Sequence, residues 1–270
     1  MRLLTMFSTA VFLAAAAFGS YAAGQMPGAA ALPKIVAIFP PEKGFFTKEL
    51  DYHGIPIKAP AVVSDAALYA CYDRISMELK NLPNVTINLA AAGAELHIIG
   101  KDQVTSDLPE YRALKGKPLP YYNGLTIDQR TRGLGGLQTS CAEENLLRLP
   151  KDVYYGRDIC VHEFAHNIRN HGITRKIRAL FDQQYRSSLA KGLWVKAYAS
   201  TNPDEWFAEL SMWYFGTHGD MGMTGIKPAP GPEGLKSYDP EAYALLDKFY
   251  SGHIPVPVID ARDRDNEVPQ

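Results

Sequence analysis

An α+β fold is predicted, with a small mixed sheet and helices on the N-terminal side, one helix on the floor of a cleft, and a mainly helical C-terminal lobe. Two patterns carry it. Short β-rich runs, KIVAIF at Lys34–Phe39, Ile55–Val63 and ELHIIG at Glu95–Gly100, fall in the first half of the chain. Beyond Gly156 the apolar residues recur mainly at helical spacing. Composition sets the scale: 270 residues, 46% hydrophobic and 21% charged, suit one medium domain or two lobes around a cleft. The formal charge of −1 gives no basic field for nucleic acid or an anionic membrane, so recognition should be local.

Residues 1–22 read as a secretory signal, with Arg2 as its charged start, Leu3 to Phe18 as the apolar run and Ser20-Tyr21-Ala22 offering small residues for cleavage. Thr5, Ser8 and Thr9 interrupt the run, which is short for a bilayer span of ~20 residues. A secreted or periplasmic location follows, with no stable membrane insertion once the signal is removed. Residues 23–32 form a flexible leader, 33–258 the folded domain and 259–270 a loose polar tail.

Within the domain, Pro40-Pro41 should stop the first strand, and Pro56 and Pro60 break the second. Ser64 and Asp65 can cap a helix whose Leu68, Cys71, Tyr72, Ile75 and Leu79 pack before Pro83. His97 in the Glu95–Gly100 strand reads as a buried structural histidine. TRGLGG at Thr131–Gly136 lacks the GK[ST] ending of a phosphate loop, which leaves close backbone packing. Asn145–Leu149 is read as a strand that could pair with an extended ligand. Ile173–Leu193 is an amphipathic helix with a solvated basic face. Asn202-Pro203 starts a strongly apolar helix running to about Phe215, and Glu241–Tyr250 forms the last one.

The stretch GRDICVHEFAHNIRNHG, Gly156–Gly172, contains His162-Glu163-Phe164-Ala165-His166. Helical residues four apart are ~40° apart around the axis, so His162 and His166 would project two imidazoles from one face toward a shared metal. Glu163 would reach the water on that metal rather than the metal itself, an arrangement suited to zinc hydrolysis. Gly172 is expected to end the helix in a left-handed turn.

A catalytic zinc takes three protein ligands and a water, so a third donor is needed. His171 is one position short of the spacing of one known pattern, and Asp182 with Tyr185 only partly matches another. Glu205 is the better candidate. It and Glu209 stand four apart on a helix otherwise full of large apolar side chains, where two carboxylates are costly unless compensated. Zinc and its histidines would compensate both, with Glu205 as ligand and Glu209 accepting from a ligating histidine.

Tyr198-Ala199-Ser200-Thr201-Asn202-Pro203-Asp204-Glu205-Trp206-Phe207-Ala208-Glu209, taken with HEFAH, resembles the glutamate zincins of the anthrax lethal factor and Pro-Pro endopeptidase group over about Gly133–Phe215. The resemblance implies a zincin-like metallopeptidase fold, one zinc per chain on His162, His166 and Glu205, Glu209 behind them, and a protein or peptide substrate. It also implies Tyr198 as a hydroxyl donor near the metal. An exported binding or zinc-sequestering protein is the alternative, against which the intact Glu163 argues. Of Cys71, Cys141 and Cys160, the pair Cys141–Cys160 is expected to be joined, since the two bracket the segment leading into the metal helix; Cys71 stays open as a partner.

Overall fold

The computed structural model describes residues 33–217 and 226–267. The signal segment, the leader and the last three residues of the tail lie outside them. Strands β1 (Val36–Glu42), β2 (Phe46–Tyr52), β3 (Ile55–Ala59), β4 (Glu95–Ile99) and β5 (Gln138–Ala142) form one sheet in that spatial order. β1, β2 and β3 pair antiparallel, whereas β3–β4 and β4–β5 are parallel. His53 and Gly54, both at positive φ, make the tight turn between β2 and β3. The parallel pairs need crossovers: α1 (Asp65–Leu79) and α2 (Pro83–Ala92) make the first, and a long connection with the short α3 (Ile127–Arg130) makes the second. After β5 come α4 (Glu143–Leu146), α5 (Ile159–Asn167), α6 (Arg175–Ala190), α7 (Pro203–Tyr214), α8 (Pro232–Tyr238), α9 (Pro240–Tyr250) and α10 (Arg264–Glu267). The fold is thus mixed α+β, with α1, α2 and α3 between the later strands and α4 to α10 following β5.

The parallel strands are buried on both faces, as Ile57, Leu96, Ile98 and Ile99 show. One continuous core joins them to α1, α5, α7 and α9 through Leu68, Phe164, Phe207 and Phe249. Buried His97 is satisfied by Glu110 at 2.6 Å and Glu95 at 2.9 Å.

Several expectations change. β1 runs through Pro40-Pro41 to Glu42, because it lies at the sheet edge, where a missing N–H costs no ladder bond. β2 and α2 are additions that the residue pattern did not announce. Asn145–Leu149 is not a strand: Leu147 N donates to Glu143 O in a helical turn, and Glu144 and Asn145 are buried on polar partners. Gly172 does not adopt a left-handed conformation. The chain continues past α5 in a wider helical turn, Ile168–Gly172, and the glycine lies against α2. Arg178 of α6 is buried rather than solvated, donating to the Ile173 carbonyl at 3.0 Å. The tail is docked in part, with Ile259 N donating to Asn88 Oδ1 at 2.8 Å.

Two outcomes follow. A Cβ at Gly172 would stand 2.6 Å from Val85 Cγ1, so Gly172→Ala should lower stability by about 1–3 kcal/mol, read in denaturant unfolding. Burial disfavours charge on His97, but Glu110 and Glu95 outweigh it and raise its pKa above 6.5. His97 in turn, with Lys58, holds Glu95 down at about 2 against burial. A raised histidine stabilises fully below its unfolded pKa and loses that contribution as pH rises through its folded one. The stability gap between the parent and His97→Gln should therefore widen as pH falls through the raised folded pKa toward the ordinary histidine value of about 6.5.

Candidate metal centre

The start of α5 is held by buried side chains. Asp158 Oδ1 accepts from Val161 N at 3.3 Å, and Asn145 accepts from Ile159 N at 2.9 Å while donating to the Arg157 carbonyl at 2.7 Å. Asp158 is fully buried and paired with Arg74 at 2.9 Å and Arg148 at 3.3 Å. Cys160, Phe164 and Ala165 turn inward, which leaves His162, Glu163 and His166 facing a cleft. Cys141 and Cys160 stand at disulfide distance, Cα atoms 5.2 Å apart, linking β5 to α5. Cys71 lies behind them with its Sγ 3.7 Å from that of Cys160, and burial pushes its thiol pKa up.

α7 faces α5 across the cleft floor. Asn202 caps it by accepting from Glu205 N at 2.9 Å, and Pro203 occupies the first turn. Trp206, Phe207 and Leu210 are fully buried. Arg169, just beyond α5, reaches Asp204 of α7 and Asp182 of α6, both at 2.6 Å. That clamp sets the separation of the helices, and it engages Asp182 away from the cleft.

Three donor atoms converge. His162 Nε2 lies 3.1 Å from Glu205 Oε2, His166 Nε2 lies 3.2 Å from His162 Nε2, and His166 Nε2 lies 3.4 Å from Glu205 Oε2. A tetrahedral zinc with bonds of about 2.0–2.1 Å separates its ligand atoms by about 3.3–3.4 Å, so this triangle has the dimensions of one face of such a site. The chemistry agrees. Glu209 Oε1 stands 3.1 Å from His162 Nδ1, so a proton there faces a carboxylate and leaves the Nε2 lone pair toward Glu205 and His166. Only a cation, either a proton or a metal ion, reconciles those groups. Burial opposes charge on His162, yet Glu205 and Glu209 raise its pKa to about 10. Burial works against the Glu205 carboxylate as well, and the two histidines hold it well below the usual range.

Tyr198, in a single helical turn before α7, donates its hydroxyl to Glu205 Oε1 at 3.1 Å, and its ring stacks 6.2 Å from that of His162. Burial, then the charge of Glu205, raises its pKa, so it remains a donor. The cleft holds about 430 Å³, and Gly133, Leu134, Tyr154 and Arg130 line it together with Glu163 and Tyr198. Leu134 bridges Ser140 of β5 in both directions, so the backbone bordering the cleft is Gly133–Gly136 rather than residues 145–149. Glycine is needed there. A Cβ at Gly133 would stand 2.9 Å from the Ser140 carbonyl, and one at Gly135 3.0 Å from His166 Cβ.

The structure thus brings His162, Glu163, His166, Tyr198 and Glu205 to one cleft, with Glu209 behind His162. Sequence reasoning missed Arg157, whose Nη2 donates to Glu209 Oε1 at 2.9 Å. Its signal was a cation at a positive helix start, which is unfavourable without a carboxylate partner. Arg169 and Asn145 were missed too, because their partners are remote in sequence.

No protein-family model matches the chain, and no curated protein does. Among solved structures, the chain is similar to the Pro-Pro endopeptidase PPEP-2 from Paenibacillus alvei, with a TM-score of 0.47 and 17% identity over 69% of this chain and 92% of that one.

With these donors in place, His166→Ala should leave the purified protein without stoichiometric zinc. Glu209→Gln, which weakens the acceptor behind His162, should lower zinc affinity by roughly 10–100-fold. Chelator competition measures both.

Proposed function

We propose that the chain is an exported, zinc-dependent peptidase of the zincin type, with one zinc on His162, His166 and Glu205 and a protein or peptide substrate. The observation that supports it is the donor triangle of 3.1, 3.2 and 3.4 Å, with Glu163 and Tyr198 lining the same cleft. The Cys141–Cys160 pair suits an oxidising compartment, and among the described residues no helix is long and apolar enough to cross a membrane.

A zinc held by His162, His166 and Glu205 would supply Lewis-acid chemistry, polarising a carbonyl and lowering the pKa of a bound water. The side chains do the rest. Glu163 takes up the proton of the attacking water and returns it to the leaving amine, the acid–base work of a positioned carboxylate. Tyr198, kept protonated, donates a hydrogen bond to the oxygen on which charge develops. Glu209 and Arg157 orient His162 and take no part in bond making.

Glu163→Gln keeps size and hydrogen bonding but removes the base, so zinc should stay while cleavage falls by about 10²–10⁴-fold. Tyr198→Phe should also keep zinc and lose about 10²–10³-fold. Zinc content and cleavage rate are measured together on a peptide selected from a library. Equal cleavage by Glu163→Gln and the parent would instead favour a binding or zinc-sequestering protein.

A further inference from the structure

Arg130 and Arg157 line the cleft and Arg132 lies two residues beyond Arg130; the last two reach carboxylates. Arg132 forms a forked pair with Glu144 at 2.7 and 3.0 Å, and Arg157 is bonded to Glu209 at 2.9 Å. Arg130 lines the cleft and makes no ion pair or hydrogen bond through its guanidinium among the described residues. Its Cζ lies 5.7 Å over the centre of the Tyr122 ring, and the side chain is exposed to solvent. A cation–π contact forms no hydrogen bond to an acceptor oxygen, so the N–H fork stays available to one.

The residue is also built into place. α3, which it ends, begins with reciprocal capping: Thr126 accepts from Gln129 N at 3.3 Å, and Gln129 Oε1 accepts from Thr126 N at 2.9 Å. Asp128 fastens the same turn to Ser106 through two 2.7 Å bonds, to its backbone N–H and its hydroxyl. The next residue, Thr131, accepts at its carbonyl from Thr105 Oγ1 at 2.6 Å. A fixed backbone therefore presents a cation to the cleft that Glu163, Tyr198 and Glu205 also line.

The geometry points to Arg130 as a specificity-determining residue that binds a carboxylate of the substrate, so that the peptides taken carry an acidic side chain or a free C-terminal carboxylate near the scissile bond. This deepens the peptidase reading and rests on it. A planar fork matches a carboxylate in a two-point contact, whereas an amide offers one acceptor oxygen and no charge. Discrimination should fall mostly on KM, because Arg130 acts on bound substrate rather than on the bond that breaks.

The test uses peptides cleaved by the parent in a library screen, resynthesised in pairs that differ by Glu against Gln, or by a free against an amidated C-terminus. In the parent, the acidic member should be favoured in kcat/KM by roughly tenfold or more, with the advantage shrinking as salt screens it. The first pair reports a side-chain carboxylate and the second a terminal one. Arg130→Gln should bring the ratio close to one, and Arg130→Lys should keep part of it. A second measurement does not need turnover: calorimetric binding of capped alanine peptides carrying one Glu or one Gln, with either C-terminus, to parent and Arg130→Gln. Cleavage without acidic preference, or a preference that survives Arg130→Gln, overturns the proposal and leaves the peptidase reading standing. Acid-selective binding that needs Arg130, with no library peptide cleaved, supports the carboxylate site and removes the peptidase reading.

Discussion

One imidazole is held between two carboxylates that belong to a single turn of one helix. Glu205 meets His162 at Nε2 and Glu209 meets it at Nδ1, each at 3.1 Å, which is possible only if α7 runs alongside α5 at a fixed height and rotation. Much of the surrounding structure serves that alignment. Asn145 and Asp158 fix where α5 begins, Arg169 ties its far end to Asp204 beside Glu205, and Asn202 fixes the first turn of α7. The tight contact of Gly172 with α2 then seats the far end of the metal helix on the first crossover.

That alignment has an energetic cost. Glu209 is almost wholly buried, and moving a carboxylate out of water costs several kcal/mol unless it is paired and hydrogen-bonded. Arg157 and His162, at 2.9 and 3.1 Å from Glu209 Oε1, offset that cost. An apolar α7 would satisfy the core as well or better, since buried ion pairs rarely out-stabilise well-packed hydrophobes. The polar cluster is therefore explained by chemistry at the cleft rather than by stability. The reverse holds for His97, whose two glutamates complete a closed network away from the cleft and leave no donor for a ligand.

Much of this was legible in the residues, and what was not shares a cause. Helix α1, strand β4 and the span of α7 follow from local signals: capping residues, apolar spacing and prolines. His162 and His166 share a face by spacing alone, and Glu205 with Glu209 stood out because carboxylates are expensive on an apolar helix. β1 outran its prolines because edge position is a property of the sheet and invisible in a run of residues. Asn145–Leu149 misled because its leucines suit a strand, while its helical turn is decided by the partners of Glu144 and Asn145, Arg132 and the start of α5. Gly172 was a helix end in sequence, yet its smallness answers a neighbour more than 80 positions earlier, as Val85 shows.

The two walls of the cleft differ in origin. One wall is α5 and α7, each carrying its polar residues four positions apart, which is why local spacing could reveal it. The opposite wall comes from the long connection between β4 and β5, a stretch rich in charge and tyrosine with little periodicity to read. Side-chain bonds make it stiff instead: Asp128 holds Ser106, Arg132 spans to Glu144 and the Gln103 carbonyl, and Tyr154 accepts from Arg132 N at 2.8 Å. Loops held rigid by a scaffold are where recognition side chains are usually placed. Arg132 and Arg157 reach carboxylates, whereas Arg130, exposed to solvent, has no ion-pair partner among the described residues. The cleft thus joins a braced turn that carries an exposed cation to a cluster of two imidazoles and two carboxylates on paired helices.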